Sequence, residues 1–500
     1  MSHGQRLSLF AACGAVWFLW CTASWSVGTT NVAPAAENSN PKSPPAARVL
    51  RDRQNAQAND SHEPVLSSLK QRVISLQKAR LSNGMRVIMD VESESPTVAI
   101  CVTYDVGSRN EGPGQSGFAH LFEHMMFQGS RHVSKGKHFQ IIASRGGTLN
   151  GTTSADRTNY FETLPANELE LALWLEADRM RWLNVTEENL DNQRAVVKEE
   201  YRMRYENAPY RLAQIELDKR IFAGYAPYAH PTIGNLEDLD RAQISWVKDF
   251  HARYYVPSNA VLTIAGGFEP DKAMHWVHEY FDKVEANSAP TFTPPAALPV
   301  STEETRLELT DKNAKTPALL VGWRIVPHND SAHSALELLA RLLADGESSI
   351  LYESLVRDKA WARNVSAYTY DHSGPDGLVI SVELTQTAQF EQVEPIIHNA
   401  LATLTKTGPK PAQLNRARQR AKSSFLFDLQ SNQSRATTFG EYEVVFGDAR
   451  LIVNDLEQLL AVTPEAIRSA ASHYLTPTAR TVIRVVPVDV AKTPKAGAQP

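Results

Sequence analysis

Five hundred residues exceed what one ordinary core holds, and roughly 150 residues per domain points to two to four domains. At 42% apolar and 21% charged the composition is globular, which excludes wholesale disorder, collagen and coiled coil. With 51 Lys and Arg against 56 Asp and Glu, the net charge is −5, so nothing favours a nucleic-acid partner.

The chain opens with Arg6 and an uncharged stretch from Leu7 to Trp25, followed by small residues at Ala33-Pro34-Ala35. A basic start, an apolar middle and a small-residue exit predict a secretory signal over 1–27, with an uncleaved membrane anchor as the alternative. In both cases the bulk of the chain is exported, to the periplasm or beyond. Of the three cysteines, Cys13 and Cys21 lie in this segment. A cleaved chain keeps only Cys101, which rules out an internal bridge or a cysteine-rich zinc site. The chemistry must therefore come from histidines, carboxylates and hydroxyls.

Residues 28–69, rich in Pro, Ala and Ser, read as a tether, and 286–302, with Pro290, Pro294, Pro295 and Pro299, as a second linker. These place one domain at 70–285, another at 303–490 and a short tail at 491–500. In the first, Ser82-Asn83-Gly84 predicts a hairpin with a two-residue turn at Asn-Gly. Thr97 to Tyr104 then reads as a buried strand. A glycine-rich loop leads into a helix from about Phe118 to Gln128 and a second from about Lys135 to Ser144. Alternating segments at Leu149–Thr153 and Thr158–Thr163 predict paired strands, followed by long helices near Ala166–Trp182 and Glu187–Tyr205.

The second domain repeats this order loosely: a strand at Ala318–Trp323, a loop, and a helix at Ser331–Ala344. The expected fold is α+β: two homologous α/β-roll domains, each a mainly antiparallel sheet with helices packed on one face. The second domain's helix carries His333 and Glu337 but no second histidine at a metal-binding spacing, so the first domain's chemistry is expected to be lost there.

That chemistry is announced by GFAHLFEHMMFQG. His120 and His124, four residues apart on a helix, project from one face, and their ring nitrogens can reach a common ion at about 2.0–2.1 Å. Glu123 borders the same face, completing H-x-x-E-H, the inverse of the commoner zinc peptidase order. The helix is otherwise apolar, and burying two histidines and a glutamate in it without a partner would be costly. A catalytic zinc wants a third protein ligand. The helix with Lys198-Glu199-Glu200 is the place to seek it, Glu200 lying on the apolar side with Val196 and Val197.

The runs VGSRNEGPGQSGFAHLFEHMMFQGS, GGTLNGTTSADRTNYFETLP and VVKEEYRMRYENAPY resemble the inverted-motif zinc peptidase family of pitrilysin, insulin-degrading enzyme and the mitochondrial processing peptidase. The likeness continues to about residue 487. It implies one Zn²⁺ per chain held by His120, His124 and Glu200, with Glu123 as general base of peptide-bond hydrolysis. It also implies that Asn150 holds the main chain of a peptide substrate added to its strand.

Two departures stand out. Relatives often carry a glutamate seven positions before the third ligand, where this chain has Gln193. Self-sufficient relatives pair an arginine in the second domain with a tyrosine seven residues on; here Arg357, a substrate-binding candidate, is followed by Asn364. The reading is therefore the catalytic subunit of a two-chain clamshell endopeptidase, whose homologous partner lacks the zinc motif, with a homodimer as the variant. The rivals are a non-catalytic assembly subunit of the same fold and a zinc hydrolase of another substrate.

Overall fold

The structure, a computed structural model, describes residues 63–296 and 301–488. The export segment expected over 1–27, most of the 28–69 tether, part of the second linker and the 491–500 tail lie outside the described residues.

The strands of the first half are β1 (Gln77–Arg80), β2 (Arg86–Val91), β3 (Thr97–Tyr104), β4 (Thr148–Thr153), β5 (Thr158–Pro165) and β6 (Ala260–Gly266). They form one sheet in the order β1-β2-β6-β3-β5-β4, in which β2 and β6 alone run parallel. The second half supplies β7 (Thr305–Asp311), β8 (Ala318–Ile325), β9 (Ala362–Thr369), β10 (Asp376–Leu384) and β11 (Arg480–Pro487). Their order is β7-β11-β8-β10-β9, and again only the outermost pair, β7 and β11, is parallel. Counted from β2 and from β7, the two sheets have the same strand order. The duplication expected from the sequence is thus a duplication of topology.

The helices that bear on the site and on the junction of the halves are α1 (Glu63–Ile74), α2 (Phe118–Met125), α3 (Glu187–Tyr201), α4 (Arg211–Ile221), α5 (Ile244–Tyr254), α6 (His333–Ala344), α7 (Asn432–Glu441) and α8 (Leu451–Ala461). α1 begins inside the stretch read as a tether. Leu69 and Val73, one turn apart on it, are buried against Val453 and Leu456 of α8, contacts too distant in sequence to be foreseen.

The hairpin also differs from expectation. Its turn holds three residues, Ser82 to Gly84, between Leu81 and Met85, whose backbone N and O bond at 2.9 Å. Gly84 takes the positive φ (+90°) while Asn83 does not. The Asn83 amide instead donates to the carbonyls of Phe281 and Val284, at 2.8 and 3.1 Å, so tertiary bonds select the turn.

Helices were expected on one face of each sheet, and both faces prove to be covered. β3, β6 and β8 are buried at nearly every position, so each sheet has two apolar faces to hide. The two halves cover each other. From the first half, α4 lays Leu217 and Ile221 against Leu320, Val379 and Ile483. From the second, α7 lays Ala436 against Ala99, Cys101 and Ala265. Glycines set both approaches: a Cβ on Gly440 would meet Thr103 Oγ1 at 2.6 Å, and one on Gly322 would meet Ile221 Cδ1 at 2.4 Å. The buried Arg435–Asp90 pair, Nε to Oδ2 2.6 Å, ties α7 to β2.

The opposite face of the first sheet carries α2, anchored by Phe122, which is fully buried between Phe250 of α5 and Tyr255 (ring centroids 5.6 and 5.0 Å). Phe122→Ala is expected to cost about 3–5 kcal/mol in urea unfolding. A loss near zero would mean that this ring does not hold the helix.

Candidate active site

Local chemistry starts α2 where it does. Gly117 enters at φ +98°, and its backbone N and that of Ala119 donate to the buried Glu111 carboxylate at 2.8 and 2.9 Å. A carboxylate thus takes up N–H groups that the first turn leaves unpaired. A Cβ on Gly117 would sit 2.5 Å from Ile233 O, so no other residue fits.

One turn apart on α2, the His120 and His124 rings lie 4.9 Å from centroid to centroid. Glu200, near the end of α3, faces both: Oε2 is 3.1 Å from His124 Nε2 and Oε1 is 3.7 Å from His120 Nε2. One ligand atom from each residue lies within 4.8 Å of the other two. Beyond Glu200 the helix widens into a π-helical turn, Arg202–Glu206, and Arg204 Nη1 reaches Glu200 Oε1 at 2.8 Å. The neighbouring Glu199 points to solvent and pairs with Arg202.

Four tetrahedral ligands at about 2.0–2.1 Å from an ion stand roughly 3.4 Å apart, a value between the two observed separations. Burial, reinforced by the His124 charge, pushes His120 down to about 4, so its ring is neutral at physiological pH and keeps a free lone pair. Its Nδ1 is buried without a hydrogen bond, and 3.7 Å is too long for one at Nε2. A buried ring nitrogen left without a hydrogen bond is costly, and a metal ion at Nε2 would give the ring a strong partner in compensation. The donor set of two imidazoles and a carboxylate therefore fits zinc.

Glu123 lies on the same helix face. Burial raises its carboxyl pKa, and a 2.7 Å hydrogen bond from Thr153 Oγ1 to Oε2 opposes that rise. β4 passes so close that a Cβ on Gly151 would lie 3.2 Å from Glu123 Cγ. Thr153→Ala is expected to lower turnover about 10–100-fold, the equivalent of a hydrogen bond to a charged group, and to leave metal content unchanged. Unaltered turnover would mean that the threonine plays no part in placing the carboxylate.

Residues 86–227 match the model of the insulinase family, peptidase family M16, and residues 244–421 match that of the peptidase M16 inactive domain. Together these spans make up well over half of the 500 residues. The chain belongs to peptidase family M16. The zinc protease PqqE of Helicobacter pylori is 26% identical over 409 residues, 81% of this chain and 92% of that protein. Bacillus subtilis YmxG, named an uncharacterized zinc protease, is 26% identical over 395 residues, 79% of this chain and 94% of its own. Among solved structures, a protease from Helicobacter pylori matches with TM-score 0.77 at 26% identity, covering 83% of this chain and 99% of that one. The periplasmic protease PqqL of Escherichia coli shares the fold (TM-score 0.69, 17% identity); the match covers 85% of this chain but 49% of that one.

The M16 inactive-domain match falls mainly on the half without H-x-x-E-H. The other residues singled out by the M16 resemblance are more scattered. Asn150 is exposed on β4, the edge strand of its sheet, and its Oδ1 accepts from Gly151 N at 2.9 Å. Arg357 is 57% exposed on a π-helical turn, Tyr352–Asp358, and its ion pairs are with Glu353 and Asp358 of the same turn. Asn364, standing where the tyrosine would be, lies on β9. Gln193 is buried and donates to Asn192 Oδ1 at 2.7 Å. Sequence reasoning did not find Glu111, Gly151, Thr153 or Arg204. Glu111 and Thr153 carried no signal, being one acid in a loop and one of two adjacent threonines; Arg204, four residues beyond Glu200 at ion-pair spacing, could have been found.

Proposed function

We propose that this M16 chain is a zinc-dependent endopeptidase acting on peptides or unfolded polypeptides, with Zn²⁺ held by His120, His124 and Glu200. The observation that carries the reading is the convergence of two imidazoles from α2 and a carboxylate from α3, with Glu123 beside them. Zinc bound there would supply Lewis acidity, polarising a carbonyl and acidifying a water. Glu123 is the proton carrier: its carboxylate takes a proton from the attacking water and gives it to the leaving amine. Thr153 fixes one Glu123 oxygen, which leaves the other for the exchange. The open edge of β4 accepts an extended substrate as an added strand, with Asn150 contacting its main chain.

The proposal extends to assembly and location. The E. coli PqqL chain is about twice the matched length, and one structure is described as its first half. This chain, with Arg357 bound within its own turn and no tyrosine at 364, works with a homologous second chain that lacks the zinc motif, outside the cytoplasm. Cleavage of an unfolded polypeptide by the chain purified with its partner should stop on chelation and return with added zinc. Cleavage that persists in chelator would overturn the zinc dependence, and a zinc-loaded complex with no cleavage would favour the assembly-subunit reading.

A further inference from the structure

The second half was expected to have lost the first half's chemistry, because its counterpart of α2, helix α6, carries only one histidine. The structure brings others to it. His328 comes from the loop after β8, His333 from the first turn of α6 and Asp371 from the β9–β10 turn, and one ligand atom from each lies within 4.8 Å of the others. Asp371 Oδ1 stands 3.8 Å from His333 Nε2 and 4.0 Å from His328 Nδ1, separations comparable to the wider one in the first half.

Three features point to a cation. His328 Nδ1 is buried with no hydrogen bond, while its Nε2 meets Asp455 Oδ2 of α8 at 2.8 Å. A carboxylate on one ring nitrogen, with the other nitrogen free of hydrogen bonds and facing a second carboxylate, is the arrangement that orients an imidazole that binds a metal in exchange for its proton. Asp376 is wholly buried: Oδ2 meets His333 Nε2 at 2.8 Å, and Oδ1 makes no hydrogen bond, with His372 Nδ1 3.5 Å away. Asp371, Asp376 and Asp455 form ion pairs with His328, His333 and His372. Asp376, the wholly buried one of the three, faces only imidazoles and a backbone N–H, and a divalent ion bound beside it would balance its charge.

We propose that His328, His333 and Asp371, with Asp376 beside them, form a second divalent-metal site, distinct from the peptidase triad. Imidazole with carboxylate suits zinc and its first-row neighbours. Asp371, 56% exposed, lines with His372 a cleft of about 440 Å³ at the junction of the halves, which gives the ion a way in. The ligands come from three segments of the second half. His372, next to Asp371, stacks on Tyr228 of the first half at 4.1 Å. The site's role is structural, a clamp at the junction.

The test uses the full chain carrying His124→Ala, which disables the peptidase triad, stripped with chelator and reloaded with Co²⁺. It is expected to retain about one ion per chain with the visible absorption of imidazole-bound Co²⁺, and its unfolding temperature should rise by roughly a few degrees with saturating Zn²⁺. Adding His333→Gln should abolish both effects. Adding Asp371→Asn, at a half-exposed position whose φ of +63° asparagine tolerates, should weaken retention without disturbing the fold, as read by circular dichroism. A His124→Ala chain that retains no ion, or retention untouched by either added substitution, overturns the proposal. Neither result bears on the peptidase reading, which is tested with the unsubstituted triad.

Discussion

A Glu123→Gln chain is expected to keep its zinc and to lose about 10²–10⁴-fold in turnover, the usual contribution of a positioned general base. Gln is nearly isosteric with Glu, so the packing of Glu123 against Gly151 survives and Thr153 still has an oxygen to donate to. What disappears is the proton acceptor. The carboxylate does not belong to the cluster of candidate ligands, so metal content should match that of the unsubstituted chain. The measurement is turnover of an unfolded polypeptide beside metal content of the same preparation. Full activity would remove Glu123 from its role; joint loss of metal and activity would make it a ligand or a fold determinant instead.

Replacing Glu200 separates the ligand role from the base role. Glu200→Gln keeps the side chain's shape and removes the negative charge that His124, His120 and Arg204 all face. Loss of an outer partner of a metal ligand typically costs 10–100-fold in affinity. Loss of a direct ligand should exceed that, so the variant is expected to emerge from dialysis with one ion per chain fewer than the unsubstituted protein and without activity. Glu199→Gln is the matched control. Its carboxylate is 61% exposed and paired only with Arg202, and surface pairs of that kind contribute about 0–1 kcal/mol. Equal effects from the two substitutions would show that the helix face was misjudged.

The motif helix could be read in advance because its signal is short-ranged. Four-residue spacing on a helix of 3.6 residues per turn brings His120 and His124 to one face whatever the rest of the chain does. The same period only leaned towards Glu200 over Glu199, since Val196, one of the two residues expected to mark the apolar side, is exposed. The resemblance to the zinc peptidase family carried that assignment. The helix ends were less legible. α2 stops at Met125, short of the expected Gln128, and α3 gives way to a π-helical turn after Tyr201, because the bonds that close a helix depend on what packs there.

Other features had no local signature. The packing of α1 rests on α8, and the three-residue hairpin turn on carbonyls at residues 281 and 284. Thr153 could not be singled out until the β4–β5 pairing carried β4 over Glu123. His328, His333 and Asp371 are spread over more than forty positions with no repeating interval, so no motif search groups them.

By itself, then, the sequence determined the duplicated α+β plan and the two-histidine helix, which follow from backbone periodicities acting over one or two turns, while Glu200 rested on the likeness of whole runs to a known family. Only the tertiary structure decided how each half covers the other's sheet, what hydrogen-bonds to Glu123, and which histidines of the second half meet. Those choices arise from burying apolar faces that are distant in sequence, and the side chains that such burial brings together leave no mark on any local pattern.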